Sequence, residues 1–428
     1  IHNEEGTIEI DAVEIIENES RKEGGGGIYN TNDGYIFLLN SILSGNLARE
    51  NGGGIENYGG GIVIDNSMIA GNESGNDGGG IRNLYGGGVE ITDSTLTKNI
   101  AIDDGGAFHN DDDTSSITID NSNVTYNHAE QNGGGGYNGF HAAGEILTIT
   151  ILDSTFAHNS VNTSGGALYN NSEMTISDSS FGYNDAKDGG GAIHNDYDGD
   201  LSIEASTFDY NTVTSAATNQ GGGALFNSGL ASIEESLLAY NESISSGGAI
   251  HNTSELEVLN ATFYENKTTD PDTYGGAIYN EDDLNISFAT ITKNFAWTDG
   301  GGIYSDSGAS TNLKNSIVAE NLNGALLRNN CVGTITSQGY NLEDINTCRF
   351  SGIGDHPDTP AKLHSAGLQN NGGSTDTVAL LEHRFILANS SPAIDAGFCT
   401  DIGGTAVTVD QRGYTRDVKC DIGAYEVL

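Results

Sequence analysis

The stretch GGGAIHNDYDGDLSIEASTFDYN, Gly189 to Asn211, contains two short signatures that recur along the chain. The first is G-G-[G/A]-x-[aromatic/His]-N and the second is F-x-x-N, in which other bulky apolar residues replace Phe in some copies. Members of each series lie 25 to 32 residues apart over about 300 residues. Two independent series with one period indicate a repeat protein. The first series is Asn30, Asn57, Asn83, Asn110, Asn138, Asn170, Asn195, Asn227, Asn252 and Asn280, and the second is Asn18, Asn46, Asn72, Asn99, Asn127, Asn159, Asn184, Asn211, Asn241, Asn266, Asn294 and Asn321.

Between the two Asn series lies a short segment of alternating apolar residues, such as LSIEAS from Leu201 and MTISDS from Met174. Apolar residues at every second position predict a β-strand with one buried face. Two further columns of bulky residues bring the prediction to about three short strands per coil, whereas helical spacing is never sustained. Coils of this size predict an all-β, right-handed parallel β-helix of about a dozen coils, with the Asn series forming side-chain ladders at the bends.

The glycines and acidic residues of the opening stretch allow more than one interpretation. A phosphate-binding loop opens a helix and continues with G-K-[S/T], whereas these glycines precede a strand, so a structural role is favoured. His194 lies in a column otherwise filled by Tyr, Phe and His, which indicates ring stacking rather than metal binding. Asp196, Asp198 and Asp200, with Gly199 in the turn, resemble part of a Ca²⁺ loop without its bidentate Glu. The sequence requires no cofactor. It suggests Ca²⁺ as a ligand of this acidic turn, and the alternative is that the acidic side chains are simply solvated.

The composition is acidic and rich in glycine. Lys and Arg number 16 against 60 Asp and Glu, which gives a formal net charge of −44, and 61 Gly accompany only 4 Pro. Such a surface repels nucleic acid and anionic lipid, and it suits cations, basic partners or a salty exterior. Since the chain also has no run of about 20 apolar residues, we expect neither nucleic-acid binding nor membrane insertion.

The start of the chain suggests processing and self-association. It begins at Ile1 without an apolar leader, which predicts a secreted chain whose signal peptide has been removed. The strand pattern is already present before Asn18, which predicts an open first coil where another copy docks head-to-tail. A further segment upstream of Ile1 is the alternative explanation. Asn-x-Ser/Thr sequences are numerous and leave N-glycosylation open. Among them are Asn18, Asn72, Asn123, Asn162, Asn241, Asn252, Asn260, Asn266, Asn285 and Asn389.

The motifs resemble those of two families. GGAIHN and GGALYN, paired with STFDYN and STFAHN, resemble the GGA[ILV] and FxxN repeats of the polymorphic outer membrane protein family over roughly residues 18 to 321. Residues 322–428 resemble choice-of-anchor Q β-helix proteins in the phrases GYNLEDINTC, SSPAIDAG and CDIGAYE. Both resemblances imply an extracellular, pectin-lyase-like β-helix without catalytic residues, and several members of the first family act as adhesins. We expect repeats over residues 1–321 and C-terminal coils with a cap over 322–428.

All four cysteines lie in this C-terminal region. They form no C-x-x-C pair, which favours two disulfides and an oxidising compartment. The bonds Cys331–Cys348 and Cys399–Cys420 would close loops of about twenty residues and stabilise by ~3 kcal/mol each, but the sequence leaves the other pairings open. Charged residues in apolar surroundings predict a structural ion-pair network around Arg412 rather than a catalytic cluster. They are Asp395, Asp410, Arg412, Asp421 and Glu426.

Three classes of function fit this architecture. A polysaccharide lyase or hydrolase is disfavoured because basic residues are scattered singly through coils that look alike. A non-enzymatic cell-surface protein is favoured, either as a subunit of an extracellular filament or sheath or as an adhesin that binds glycans or proteins of host or neighbouring cells. An aromatic strip is the predicted contact surface, by stacking on sugars or by burial against a receptor, and ordinary ring stacking on a polar bend is the alternative. It comprises Tyr126, His158, Tyr183, Tyr210 and Tyr240, and the coil extensions at residues 138–145 and 212–220 are further predicted contacts.

Overall fold

The computed structural model of the protein describes residues 1–22, 24–112, 114–139, 146–215, 220–382 and 390–427. Within these ranges every regular element is a β-strand, and no helix long and apolar enough to cross a membrane occurs among them. The chain divides into two compact units, Ile1–Leu201 and Ser202–Leu428. Together they contain about 12 turns of a parallel β-solenoid. The all-β solenoid predicted from the repeats is therefore confirmed, and its right-handed winding stays a prediction.

Each regular coil contributes four strands, which we call sets A, B, C and D in chain order. The sequence predicted about three, and the missing one is set D. Its strands are only two residues long, as in Leu47–Ala48, where Ala48 is the one buried side chain. Two residues are too few to show an alternating pattern, so periodicity alone misses this strand.

The strands of unit 1 follow this order through seven coils and into an eighth set A strand. Set A comprises His2–Glu4, Ile28–Thr31, Ile55–Tyr58, Ile81–Leu84, Phe108–Asn110, Gly136–Asn138, Leu168–Asn170 and Ile193–Asn195. Set B comprises Thr7–Asp11, Tyr35–Leu39, Gly61–Asp65, Gly88–Thr92, Ser116–Asp120, Thr148–Leu152 and Glu173–Ser177. Set C comprises Glu14–Ile16, Ile42–Ser44, Met68–Ala70, Thr95–Thr97, Asn123–Thr125, Thr155–Ala157 and Ser180–Gly182. Set D comprises Glu19–Ser20, Leu47–Ala48, Glu73–Ser74, Ile100–Ala101, His128–Ala129, Ser160–Val161 and Asp185–Ala186.

The strands of unit 2 repeat the same order, and the set B strand Asp200–Glu204 contains the residues at which the units divide. Set A comprises Leu225–Asn227, Ile250–Asn252, Ile278–Asn280, Ile303–Ser305 and Cys331–Val332. Set B comprises Leu230–Glu234, Glu255–Leu259, Asp283–Ser287, Ser310–Lys314 and Ile335–Ser337. Set C comprises Thr207–Asp209, Leu237–Ala239, Thr262–Tyr264, Thr290–Thr292, Ile317–Ala319 and Leu342–Glu343. Set D comprises Thr212–Val213, Glu242–Ser243, Lys267–Thr268, Phe295–Ala296 and Leu322–Asn323, and an antiparallel hairpin of Leu363–Gln369 and Thr377–Leu380 follows the coils.

Strands of one set pair in parallel with their equivalents one coil away, so that equivalent residues stack. Ile64, for example, is the register partner of Ile91, and both side chains are fully buried. In set C the rings of Phe156 and Phe181 stack at 4.9 Å with an angle of 12° between their planes. Each fully buried Ile, Leu or Phe side chain contributes roughly 1.5–3 kcal/mol, and every coil adds several of them to one core.

The glycines of the opening stretch have the structural role that was favoured. Gly190 has φ 66°, a left-handed conformation that favours glycine. A Cβ atom on Gly190 would lie 2.0 Å from the carbonyl oxygen of Ile193. On Gly166, the same atom would lie 2.1 Å from the carbonyl oxygen of Gly191 in the next coil. These bends therefore need glycine both for conformation and for close approach between coils.

In unit 2 the C-terminal segment, residues 344–382 and 390–427, lies against the side of the coils. Thr375 Oγ1 donates to the carbonyl oxygen of Glu235 at 3.0 Å, and Thr262 Oγ1 donates to Gln411 Oε1 at 2.5 Å. Asn315 Nδ2 donates to the carbonyl oxygen of Phe398 at 2.7 Å. The segment therefore covers a flank of several coils. The predicted division into repeats over residues 1–321 and C-terminal coils with a cap over 322–428 stays a prediction.

Candidate binding surface

The residue that precedes each Asn of the second series closes the bend between sets C and D. At this corner Tyr126, His158 and Tyr183 have φ values of 58°, 57° and 58°. The equivalent residues Gly45 and Gly71 have φ values of 64° and 61°. A left-handed conformation costs an L-residue about 1–2 kcal/mol, so the backbone favours Gly where these coils carry aromatic rings.

The unit 1 strip consists of Tyr126, His158 and Tyr183. The first two rings stack at 4.7 Å with an angle of 9° between planes, and the second pair stacks at 5.1 Å with an angle of 16°. Tyr126 is 55% exposed and Tyr183 is 52% exposed. Ring stacking contributes roughly 0.5–1.5 kcal/mol per pair and so offsets part of the backbone cost.

The unit 2 strip consists of Tyr210 and Tyr240, whose rings stack at 4.9 Å with an angle of 9°. Tyr240 also meets the ring of Tyr264 edge-on at 5.7 Å. Both Tyr240 and Tyr264 pack in a cluster with Val378 of the C-terminal segment. Burial, with the negative charge of Glu265, raises the pKa of Tyr240 to about 12. This strip is therefore partly enclosed, whereas the strip of unit 1 faces solvent.

Ring stacking decides which part of each tyrosine a partner can reach. Neighbouring rings in the unit 1 strip lie nearly parallel, so each inner face is occupied by the next ring. Solvent meets the ring edges and the phenol hydroxyls instead. A sugar that stacks on a tyrosine needs a free ring face. The strip thus offers a ridge of edges and hydroxyls more than a set of sugar-stacking platforms.

The two Asn series form hydrogen-bonded ladders within each unit. Along each ladder, Nδ2 of one Asn donates to Oδ1 of the next Asn at 2.8–3.1 Å. Asn280, the last Asn of the first series, donates instead to Thr311 Oγ1 at 2.9 Å. The sequence search missed Asn3, which donates to Asn30, although residues 1–3 read IHN like residues 193–195. It also missed Asn330, which accepts from Asn321 at 3.0 Å, because only nine residues separate the two.

These ladders restrict glycosylation. Five of the Asn-x-Ser/Thr acceptors are at most 1% exposed, and a glycan could reach them only after unfolding. They are Asn72, Asn241, Asn252, Asn260 and Asn266. Asn18 and Asn123 are exposed, Asn162 and Asn285 are half-buried, and Asn389 lies outside the described residues.

Asp196, Asp198 and Asp200 do not form a group of potential ligands within 4.8 Å among the described residues, and Ca²⁺ binding there stays a prediction. Asp196 accepts a hydrogen bond from the Tyr169 hydroxyl, whereas Asp198 and Asp200 are exposed. Within the described ranges, the group of three potential ligands that converges is a different one, formed by two aspartates and a histidine of earlier coils. His194 stacks on Tyr169 at 4.8 Å with an angle of 9°, as its column predicted.

The predicted disulfide pairs are present: Cys331–Cys348 joins a set A strand to the C-terminal segment, and Cys399–Cys420 lies within that segment. Two buried ion pairs accompany them. Arg412 donates to Asp410 at 2.5 Å, and Arg416, which the sequence analysis did not single out, donates to Glu426 at 3.0 Å. The Arg416 guanidinium also lies 4.2 Å from the centre of the Phe288 ring. This network therefore fastens the segment to a coil.

The remaining charged residues of the segment stabilise the same region. Asp421 accepts backbone hydrogen bonds from Asp395 at 2.7 Å and from Val427 at 2.6 Å. Burial raises the pKa of Asp421 to about 7. These contacts within the segment are those of a structural network.

A groove in unit 2 is the arrangement nearest to an active site. It is lined by Glu234, Glu257 and Asp401, with Ser232 and Asn285 beside them. Burial raises the pKa of Glu234, and the negative charges of Glu257 and Asp401 raise it further. Glycoside hydrolysis uses two carboxyl groups, of which the general acid has a raised pKa. The predicted contacts in the coil extensions, by contrast, fall mostly on residues 140–145 and 216–219, outside the described residues.

The parallel coils, the Asn ladders and the exposed corner residues define the class of protein. It is a β-solenoid in which each coil repeats the same strands and bends. Residues 260–281 match the sequence model of the Chlamydia polymorphic membrane protein repeat. The chain therefore carries repeats of the polymorphic membrane protein type, as its paired motifs predicted, and the match indicates a surface protein. No curated protein matches the chain significantly. The resemblance of residues 322–428 to choice-of-anchor Q proteins stays a prediction.

Proposed function

We propose that this protein is a secreted, non-enzymatic adhesin that binds a protein on another cell through its aromatic strips. One observation carries the proposal: stacked, half-exposed tyrosines occupy a left-handed corner where Gly45 and Gly71 show that the fold accepts glycine. Tyr126 and Tyr183 do not stabilise the left-handed backbone at this position better than glycine would. We therefore assign their rings to binding. The two disulfides fit an extracellular location.

The geometry favours a protein partner over a glycan. Tyr126, His158 and Tyr183 present edges and polar atoms in a row, and tyrosine is enriched in protein interfaces because it combines apolar area with a hydroxyl. The formal charge of −44 favours a neutral or basic partner surface, since like charges would slow association.

The test uses the purified, fluorescently labelled full chain and cultured cells. The variant Tyr126→Gly/His158→Gly/Tyr183→Gly removes the unit 1 strip. It introduces glycine, which the fold already has at the equivalent corner in Gly45 and Gly71. We expect at least tenfold weaker cell binding, which is about 1.4 kcal/mol. Tyr197→Ser is the matched control, because Tyr197 is 81% exposed and lies outside both strips.

Treatment of the cells separates the classes of partner. Protease digestion of the cell surface should abolish binding, whereas glycosidase digestion should leave it unchanged. Unchanged binding of the triple variant, or equal loss with Tyr197→Ser, would contradict the role of the strip. Loss after glycosidase alone would replace the protein partner by a glycan.

A second candidate function is glycoside hydrolysis in the groove of Glu234, Glu257 and Asp401. The raised pKa of Glu234 beside acidic neighbours favours it. Release of reducing ends from a panel of polysaccharides is the assay, with Glu234→Gln and Glu257→Gln as variants. Activity that both variants lower by 10²-fold or more would support an acid–base pair. Activity that survives both variants would contradict the assignment to Glu234 and Glu257.

Head-to-tail assembly into a filament and Ca²⁺ binding at Asp196, Asp198 and Asp200 stay predictions from the sequence. Electron microscopy of the full chain, with Ca²⁺ and with chelator, tests both together. Ordered filaments would make the protein a structural subunit. Single particles under both conditions would count against the filament and leave adhesion as the function to test.

A further inference from the structure

Two aspartates and one histidine converge in unit 1, away from the aromatic strip. Asp77 and Asp104 directly precede the Gly-Gly bends of successive coils, and His109 is the central residue of the set A strand Phe108–Asn110. One potential ligand atom from each residue lies within 4.8 Å of the others. Nothing in the proposed adhesive function uses this cluster.

The His109 side chain is the most informative member. It is 3% exposed, and its ring stacks on Tyr137 at 4.8 Å with an angle of 9°. Among the described residues, neither ring nitrogen has a hydrogen-bond partner: Nδ1 is buried without one, and Nε2 lies 4.0 Å from Asp77 Oδ1. Buried polar atoms nearly always make a hydrogen bond or bind an ion, so an unpartnered imidazole beside two carboxylates indicates a ligand.

The charges around the cluster are unbalanced. Glu56 and Asp77 face one guanidinium, that of Arg82, and Asp104 adds a further carboxyl group beside Asp77. Arg82 Nη1 lies 3.3 Å from Glu56 and its Nε lies 3.9 Å from Asp77 Oδ2. Asp103 and Asp111 add further negative charge near His109.

The carboxyl groups of this cluster outnumber the one guanidinium beside them, and a divalent cation would compensate the difference.

We propose that Asp77, Asp104 and His109 bind one Zn²⁺ ion. One imidazole nitrogen and two carboxylates match the donors that Zn²⁺ takes in sites with three protein ligands, where water completes the coordination. Ca²⁺ needs six to eight oxygen ligands, and this cluster offers too few. The ion would join two successive coils at the bend, because its ligands come from both.

The neighbouring coils supply variants that should not disturb the fold. Asp77 Oδ1 accepts the backbone N–H of Asp104 at 3.4 Å, and Asp104 Oδ1 accepts that of Asn132 at 2.7 Å. Asn51 performs the same task for Asp77 at 3.2 Å. Asp77→Asn and Asp104→Asn therefore keep these hydrogen bonds and remove only the charges. His109→Tyr places the residue of the next coil, Tyr137, at this position.

The experiment titrates ZnCl₂ into the metal-free full chain by isothermal titration calorimetry. We expect one Zn²⁺ per chain, at least tenfold weaker binding in Asp77→Asn/Asp104→Asn, and at least tenfold weaker binding in His109→Tyr. Excess CaCl₂ should not displace the ion. Asp299→Asn is the matched control, since Asp299 also precedes a Gly-Gly bend but its strand carries Tyr304 instead of His.

X-ray absorption of the Zn²⁺-loaded, unaltered chain gives an independent readout, because imidazole has a characteristic scattering pattern. A shell of oxygens and nitrogens that includes one imidazole supports the site even if a variant fails to fold. No stoichiometric Zn²⁺ binding, a shell without imidazole, or affinity unchanged in both folded variants would overturn the proposal.

Discussion

The outer face of the set C strands is bare in unit 1 and covered in the unit 2 strands from Leu237–Ala239 to Ile317–Ala319. In Met68–Ala70 and Thr95–Thr97 only the central residue is fully buried. In Thr262–Tyr264 and Thr290–Thr292 all three residues are buried. The backbone and the inward residues are alike, so the difference lies in what the outward residues contact.

In unit 2 those outward residues form a second small core with the C-terminal segment. Leu237 and Tyr264 pack against Val378, and Thr262 bonds to Gln411. In unit 1 the outward Thr97 and Thr125 hydrogen-bond to each other at 3.2 Å at a partly exposed position. The set C strand of a coil can therefore form either exposed surface or part of a buried core. Its two outward side chains decide which of the two it forms.

The largest expected effect comes from the ion pair that fastens the segment to a coil. Arg416→Met leaves Glu426 buried without its partner and removes the hydrogen bond of Arg416 to Asn260, so unit 2 should lose about 3–5 kcal/mol. Hydrogen exchange should show faster exchange in set C of unit 2 and unchanged exchange in unit 1. Arg21→Met, at an exposed site, is the control, and equal protection in both variants would contradict the covering role.

Removal of a disulfide tests the same contact, because it gives the unfolded chain more conformational freedom. Cys399→Ala/Cys420→Ala opens a loop of 21 residues and should lower the stability of unit 2 by ~3 kcal/mol. Urea unfolding followed by proteolysis should detect earlier cleavage in residues 390–427 than in unit 1. Cleavage that begins in unit 1 instead would show that the bare coils are the weaker part.

A pair of identical substitutions compares the two faces directly. Thr262→Val removes a buried hydroxyl that Gln411 needs and should cost about 1–3 kcal/mol. Thr95→Val, at the equivalent bare position, should change stability by less than about 0.5 kcal/mol. Thermal unfolding of both variants is the measurement, and equal shifts would remove the distinction between the faces.

The buried aspartate of unit 1 gives a dependence on pH. Because the folded state raises the pKa of Asp104 to about 6, it holds a proton that the unfolded chain releases near pH 4. The free energy of unfolding should therefore fall as pH rises from about 4 to 6, by about 1–2 kcal/mol from this group. In urea unfolding with EDTA, Asp104→Asn should show a smaller fall than the unaltered chain, and Asp299→Asn an unchanged one.

The smallest effect concerns the strips. Tyr126→Gly loses one stacking contact but relieves a left-handed backbone, so its stability should change by less than about 1 kcal/mol. Tyr240→Gly also loses packing against the C-terminal segment and should cost about 1–2 kcal/mol. A larger loss in Tyr126→Gly would mean that the unit 1 strip stabilises the fold and would weaken its assignment to binding.

Most of the fold could be predicted from the periodicity of the sequence. The Asn series and the alternating strands such as Leu230–Glu234 follow from side chains that must repeat in every coil. The position of the C-terminal segment could not be predicted from periodicity. Thr262 and its partner Gln411 are 149 residues apart, and the sequence does not distinguish a Thr that the segment covers from a Thr that faces solvent. The corner tyrosines were found as a column, but their left-handed backbone and edge-on exposure required coordinates.

The Asp77, Asp104 and His109 cluster shows a different limit. From the sequence, the histidine column was interpreted as a stacking position rather than a metal position. The ligands come instead from two bends and one strand of successive coils. The available signal was an acid before Gly-Gly in consecutive coils, followed five residues later by a histidine.

The second Asn ladder of unit 2 runs in one direction, with every Nδ2 donating toward the later coil. Its last amide, that of Asn330, donates to the carboxylate of Asp344 at 2.7 Å. Aligned amide groups polarise one another, so the column has a positive pole, and the chain places an anion there. The stack is therefore polar in the electrical sense, and the carboxylate marks its terminus as a capping residue marks the end of a helix.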